Sequence, residues 1–259
     1  MSVTLFLAMT LFPQASNTAA DGALPGDRLV RLVADSRAPG RYCTADAHWC
    51  ASLAEVPEDG RPVLPIVRAG DAVAPMPPVA DAAFSNESHA LWPRLILLKE
   101  GGFLAGVETR TSTAYSGGGG SATELRLFRV APDGQAAAAP MLNVPVGASL
   151  LIRACFGERD MAQRRGACHD DYNFAGEVGL SREAASGLPV LTYVTKATAF
   201  PRGVSRLADS TAKPRLKKSD LVRERDPECS FSRRFRFDAA AGVYVPDSPL
   251  PDCSAYTVP

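Results

Sequence analysis

From Leu91 onward the chain is a succession of short apolar runs, rich in β-branched, aromatic and Leu residues, each closed by Gly or Pro. That punctuation constrains the fold more than any other feature, because it leaves no room for long helices. Residues 94–99, 103–113, 122–130, 148–156, 174–180, 190–200, 231–237 and 242–245 read as strands, and no apolar stripe of helical period rivals them. Gly and Pro number 21 each among 259 residues, more than the ~12% of average usage. The best helix candidate is 158–166. Residues 234–238 alternate with period two, Asp238 to Gly242 supply a turn, and 243–245 return as the partner strand. The expectation is an all-β chain of antiparallel short strands. About 20 strand-plus-turn units of ordinary size fit the length, which favours a five-bladed propeller-like fold, with a β-sandwich as the alternative. Residues 21–81 are rich in Pro and Ala and read as short strands and loops at the start of a single domain, 21–259.

The N-terminus and the cysteines bear on compartment. Residues 3–12 form an apolar stretch about half the roughly 20 residues a membrane-spanning helix needs. Pro13 and a run of small and polar residues to Ala20 follow, which reads as a signal peptide over 1–20, although no Lys or Arg precedes the apolar stretch. A buried first strand is the alternative. All six cysteines, 43, 50, 155, 168, 229 and 253, lie beyond that segment. An even count after an export signal points to disulfides and to a periplasmic or secreted location. Six thiols allow 15 pairings, of which loop entropy favours Cys43 with Cys50, Cys155 with Cys168 and Cys229 with Cys253. No pair has the CxxC spacing of a zinc site.

Charge excludes one broad class of partner. Lys plus Arg and Asp plus Glu number 28 each, so no overall basic excess points to nucleic acid. Residues 202–236 are locally basic, with eleven Lys or Arg against five Asp or Glu, and suit an acidic partner, an anionic envelope polymer or simply a solvated surface.

Candidate sites are few. Thr113 to Ser121 holds four consecutive glycines between two strand candidates. Tyr115, Ser116, Gly117, Gly118, Gly119, Gly120 and Ser121 read either as a recognition loop, offering backbone N–H groups and hydroxyls, or as a mobile hairpin connection. No Lys-Ser or Lys-Thr follows, so it is not a P-loop. Asp170, Asp171, Asn173 and Glu177 form the densest set of oxygen ligands, a calcium site or a solvated acidic turn. No cofactor is required by any motif. Ser210 and Lys213 match Ser-x-x-Lys without its companion elements, there is no Gly-x-Ser-x-Gly, and His48, His89 and His169 form no zincin motif. A carboxylate pair assembled only in the fold stays open.

Residues 115–123, 154–161 and 167–172 resemble segments of exported bacterial β-proteins. More loosely, the chain is similar to periplasmic lysozyme inhibitors and to immunity proteins against peptidoglycan-cleaving effectors, some of them propeller-like. The resemblance implies that Tyr115, Ser116, Gly117 and the glycines after it enter the cleft of a glycosidase, and it adds weight to calcium at Asp170 and Asp171. The resulting expectation is a non-enzymatic binding protein, an inhibitor or immunity protein whose partner is a lysozyme-like cell-wall hydrolase. A structural envelope module and a glycan-acting hydrolase are the alternatives.

Overall fold

The computed structural model describes residues 26–57, 60–70, 86–206, 208 and 213–259. The segment read as a signal peptide, and Ser210 of the Ser-x-x-Lys match, lie outside the described residues. The architecture is all-β and antiparallel. Strands β1 (Arg28–Arg31), β6 (Glu87–Leu97), β7 (Phe103–Tyr115), β8 (Gly118–Val130), β9 (Leu142–Arg153), β10 (His169–Leu180), β11 (Leu191–Phe200), β13 (Ser232–Asp238) and β14 (Val243–Pro246) lie side by side in that order, and β12 (Glu224–Asp226) pairs with β11. A second, four-stranded sheet contains β2 (Val33–Ala34), β3 (Tyr42–Cys43), β4 (Trp49–Leu53) and β5 (Pro65–Ala69). Among the described residues no sheet closes on itself and none forms a propeller. The strands are fewer and longer than a count of short units suggests: β7 and β8 run 13 residues each.

Alternation along the central strands explains how one sheet serves two cores. Leu104, Leu125 and Leu127 enter one apolar cluster, whereas Phe103, Ala105, Val107, Phe128 and Val130 enter another. Side chains one residue apart point to opposite faces, so both faces of this part of the sheet are covered. The four-stranded sheet supplies Ala51, Leu53 and Val67 to the second cluster. The first cluster is filled from the other end of the large sheet, by Tyr172, Phe174, Tyr193, Phe235 and Tyr244. The large sheet therefore curls over its own face. Two contacts fasten the curl: the Tyr244 backbone N–H donates to the Met141 carbonyl at 2.7 Å, and Arg94 on β6 meets Glu177 on β10 at 2.6 Å. Register shifts between Leu91 and Leu95 in β6 and at Thr123/Glu124 between β8 and β9 accompany the bending.

All six cysteines are bridged, Cys43–Cys50, Cys155–Cys168 and Cys229–Cys253. These are the pairs that loop entropy favours. The second bridge closes a loop containing α1 (Glu158–Gln163), shorter than the sequence suggests because Arg165 and Gly166 take positive φ and end it. The third encloses the β13–β14 hairpin, and α2 (Ser254–Thr257), which follows Cys253, packs against β9 and β10. At that hairpin's turn the Asp238 carboxylate accepts from the backbone N–H of Ala240 at 2.9 Å, and Gly242 has φ +70°. No helix among the described residues is long and apolar enough to cross a membrane.

Candidate functional site

The glycine run is not a loop. Strands β7 and β8 pair without interruption from Phe103/Val130 to Tyr115/Gly118, leaving only Ser116 and Gly117 as the turn. Gly117 has φ +86°, which a side chain rarely tolerates. The next three glycines are strand residues, and the space around them says why. A Cβ on Gly118 would strike the Leu151 carbonyl, one on Gly119 would sit 2.8 Å from the Thr113 carbonyl, and one on Gly120 would strike the Leu150 side chain. Their N–H groups therefore belong to the sheet, not to a ligand cradle. The Tyr115 ring lies across Gly118, within 2.6 Å of where a Cβ would be, and its hydroxyl donates to the Leu151 carbonyl at 3.1 Å. An aromatic ring laid over a cross-strand glycine covers the bare backbone. Tyr115 still leaves 49% of its surface in solvent, while Gly118, Gly119, Gly120 and Ser121 are half-buried.

Three residues that sequence reasoning passed over complete this apex. Arg153 at the end of β9 runs beneath Gly117, whose Cβ would lie 2.5 Å from the Arg153 Cδ. Its Nε donates to the Cys155 carbonyl at 2.8 Å, and its guanidinium sits 5.1 Å from the Phe156 ring centre. Phe156 is 68% exposed although the Cys155–Cys168 bridge and a bond from its own N–H to Asp160 at 2.9 Å hold it in place. Leu151 is exposed as well. No motif in the sequence marks these residues, because exposure is a property of the folded surface.

The four oxygen ligands do not gather. They lie in β10, not in a turn, so Asp170 points away from Asp171, Asn173 and Glu177. Asp170 is buried against the Arg164 guanidinium, Asp171 pairs with Arg223 and accepts from Asn173 at 2.7 Å, and Glu177 pairs with Arg94. Each carboxylate thus has a guanidinium where a cation would have to be. Among the described residues no group of three or more His, Cys, Asp or Glu side chains is placed to hold a metal ion.

A cleft of about 630 Å³ lies where the curled sheet bends, lined among others by Trp92, Arg94, Glu108, Thr123, Glu177 and Lys196. Arg94 is fixed from three sides: by Glu177, by the Val178 carbonyl at 3.3 Å and by the Trp92 ring at 5.9 Å. Burial pushes the Glu108 carboxyl up from its ordinary range, with Arg94 pulling the other way. The histidines are scattered: His48 stacks edge-on with Trp49, His89 meets Thr109 and Glu87, and His169 opens β10. Comparison with protein-family models, with curated proteins and with solved structures finds no match.

Proposed function

We propose that this chain is a non-enzymatic binding protein of an oxidising, exported compartment, and that the β7–β8 apex enters the substrate cleft of a lysozyme-like cell-wall hydrolase. The observation that carries the reading is the apex itself: a two-residue turn flanked by Tyr115, with Arg153 beside it and no ion pair to that guanidinium from any described residue. Tyr and Arg are the residue types that dominate binding energy at interfaces. Glycosidase clefts carry paired carboxylates, so a preorganised cation next to an aromatic ring complements them. Three disulfides fit an exported protein.

The test is capture of lysozyme-type hydrolases by the purified chain, with a lytic assay on each protein captured. Binding accompanied by loss of lysis is expected, and the pair Tyr115→Ala with Arg153→Ala is expected to weaken it by a factor of roughly 100, the loss of two hot-spot residues. Unchanged inhibition in that variant removes the apex from the interface, and no capture across the panel removes the inhibitor reading. A second reading rests on the cleft. Glu108 and Glu177 face one cavity, as the two carboxyl groups of a glycan hydrolase must. Release of soluble sugar from peptidoglycan by the purified chain, abolished in Glu108→Gln, would establish it in place of the first.

A further inference from the structure

The register of the large sheet places one hydroxyl or amide side chain from each of five successive strands in a single row. Ser112 pairs with Ser121, Ser121 with Ser149, Ser149 with Asn173 and Asn173 with Thr198, from β7 through β11. Directly paired residues project from the same face, and this face is open: each of the five is exposed or half-buried, whereas Leu150, Tyr172, Phe174 and Ala197, on the opposite face, are buried in the core. Neighbouring strands lie ~4.8 Å apart, so the row extends about 19 Å. The next row on the same face is Arg110, Thr123, Gly147, Ala175 and Lys196. It is a shallow trough of small residues with a cation at each end, and its middle opens into the cleft beside Glu108.

Neither terminal cation is neutralised. Arg110 donates to the Ser121 hydroxyl at 3.0 Å, which holds it over the row, and neither Arg110 nor Lys196 has an ion pair with any described residue. Of the acids on this face, Asp171 and Glu177 are each taken up by an arginine, and Glu108, beside Arg110 along β7, lies in the cleft where burial disfavours its charged form. The face thus presents a ladder of hydroxyl and amide groups at regular spacing and a net positive charge divided between two distant points.

We propose that this sheet face binds a linear glycan bearing widely spaced carboxylates, the sugar hydroxyls lying along the Ser112–Thr198 row and the carboxylates meeting Arg110 and Lys196. Hydroxyls and amides both donate and accept, as a hydroxyl-rich polymer requires. The guanidinium fork of Arg110 matches a carboxylate. Large apolar anchors, on which protein interfaces depend, are confined to the margins of the face at Leu151 and Val194. Two cations about 19 Å apart suit a sparsely charged chain, whereas a densely sulfated or phosphorylated one calls for a cluster. This inference is independent of what the β7–β8 apex binds.

The experiment is calorimetric titration of the full chain with a hyaluronan decasaccharide, which carries one carboxylate per two rings, beside a neutral chitin oligosaccharide and heparin. Binding to hyaluronan is expected to exceed binding to the neutral oligosaccharide. It is expected to fall roughly tenfold or more in the double variant Arg110→Ala, Lys196→Ala and in Ser149→Glu, and to survive in Ser149→Thr. All three positions are solvent-facing, so unchanged thermal melting accompanies these losses. The proposal is overturned if hyaluronan does not bind, if the variants bind as the parent does, or if heparin binds more tightly and ignores them. It is overturned equally if sedimentation shows a dimer that Ser149→Glu dissolves, since the face would then be covered by a second copy.

Discussion

The most consequential single residue in the core is charged. Asp170 and Arg164 form an ion pair with both side chains at 5% exposure or less, and Arg164 also donates to the Ala167 carbonyl at 2.8 Å. Removing one member leaves the other buried without its counter-charge, which costs about 3–5 kcal/mol, whereas replacing both by apolar groups of similar size is close to neutral. Asp170→Asn is therefore expected to lower the urea midpoint sharply, and the double variant Asp170→Leu, Arg164→Met to recover most of the loss. Glu108 behaves in the opposite sense from a salt-bridged acid. Its folded pKa is raised above the ordinary value of 4.5, so the folded state holds a proton that the unfolded chain releases. The penalty of ionising it is present at neutral pH and is relieved as pH falls through the folded value toward 4.5. Glu108→Gln is expected to melt higher than the parent at pH 7 and to match it near pH 4. Equal differences at both pH values would show that the carboxyl is not desolvated.

Among the elements, β8 carries the clearest steric constraint. A methyl on Gly118 meets both the Leu151 carbonyl and the Tyr115 ring, so Gly118→Ala is expected to cost about 1–3 kcal/mol, as overpacking does. Ser116→Ala, at the exposed turn, should stay within about 0.5 kcal/mol. Chemical denaturation of the two variants separates a strand glycine from a merely flexible one. Gly118–Ser121 also marks the limit of what the chain's chemistry reveals locally. A glycine run has low strand propensity, and the reason for it, the closeness of β9, is a long-range fact. Pro145 and Gly147 similarly conceal the first half of β9, and the polar run His169, Asp170, Asp171 and Asn173 disguises the start of β10 as an acidic turn. The central strands, by contrast, are legible because β-branched and aromatic residues fill both faces. The disulfide pairs follow from spacing alone. Arg153 and Phe156 were missed because exposure of an apolar side chain is a property of the folded surface, not of a motif. Nor does any periodicity reveal a row such as Ser112, Ser121, Ser149, Asn173 and Thr198, whose members come from five strands.

At the scale of the whole molecule, the run from β6 to β11 is a meander in which each strand pairs with the next in sequence. Among the described residues only β1 and the four-stranded sheet at one end, and β12 to β14 at the other, add to it, and each of the three disulfides fastens one stretch: β3 to β4, the loop between β9 and β10, and the flanks of the β13–β14 hairpin. The bridges join the first cysteine to the second, the third to the fourth and the fifth to the sixth. That order bears on biosynthesis. A chain emerging N-terminus first completes each bridge before the next pair appears, so an oxidant that joins cysteines as it meets them produces the native set, and no enzyme is needed to reshuffle wrong ones. In the full reduced chain short-loop closure favours the same pairs, so oxidative refolding without an isomerase is expected to give the native bridges as the main product by non-reducing peptide mapping, and accumulation of a Cys50–Cys155 species would contradict it. For this chain, maturation needs electrons removed but no pairing decision revised.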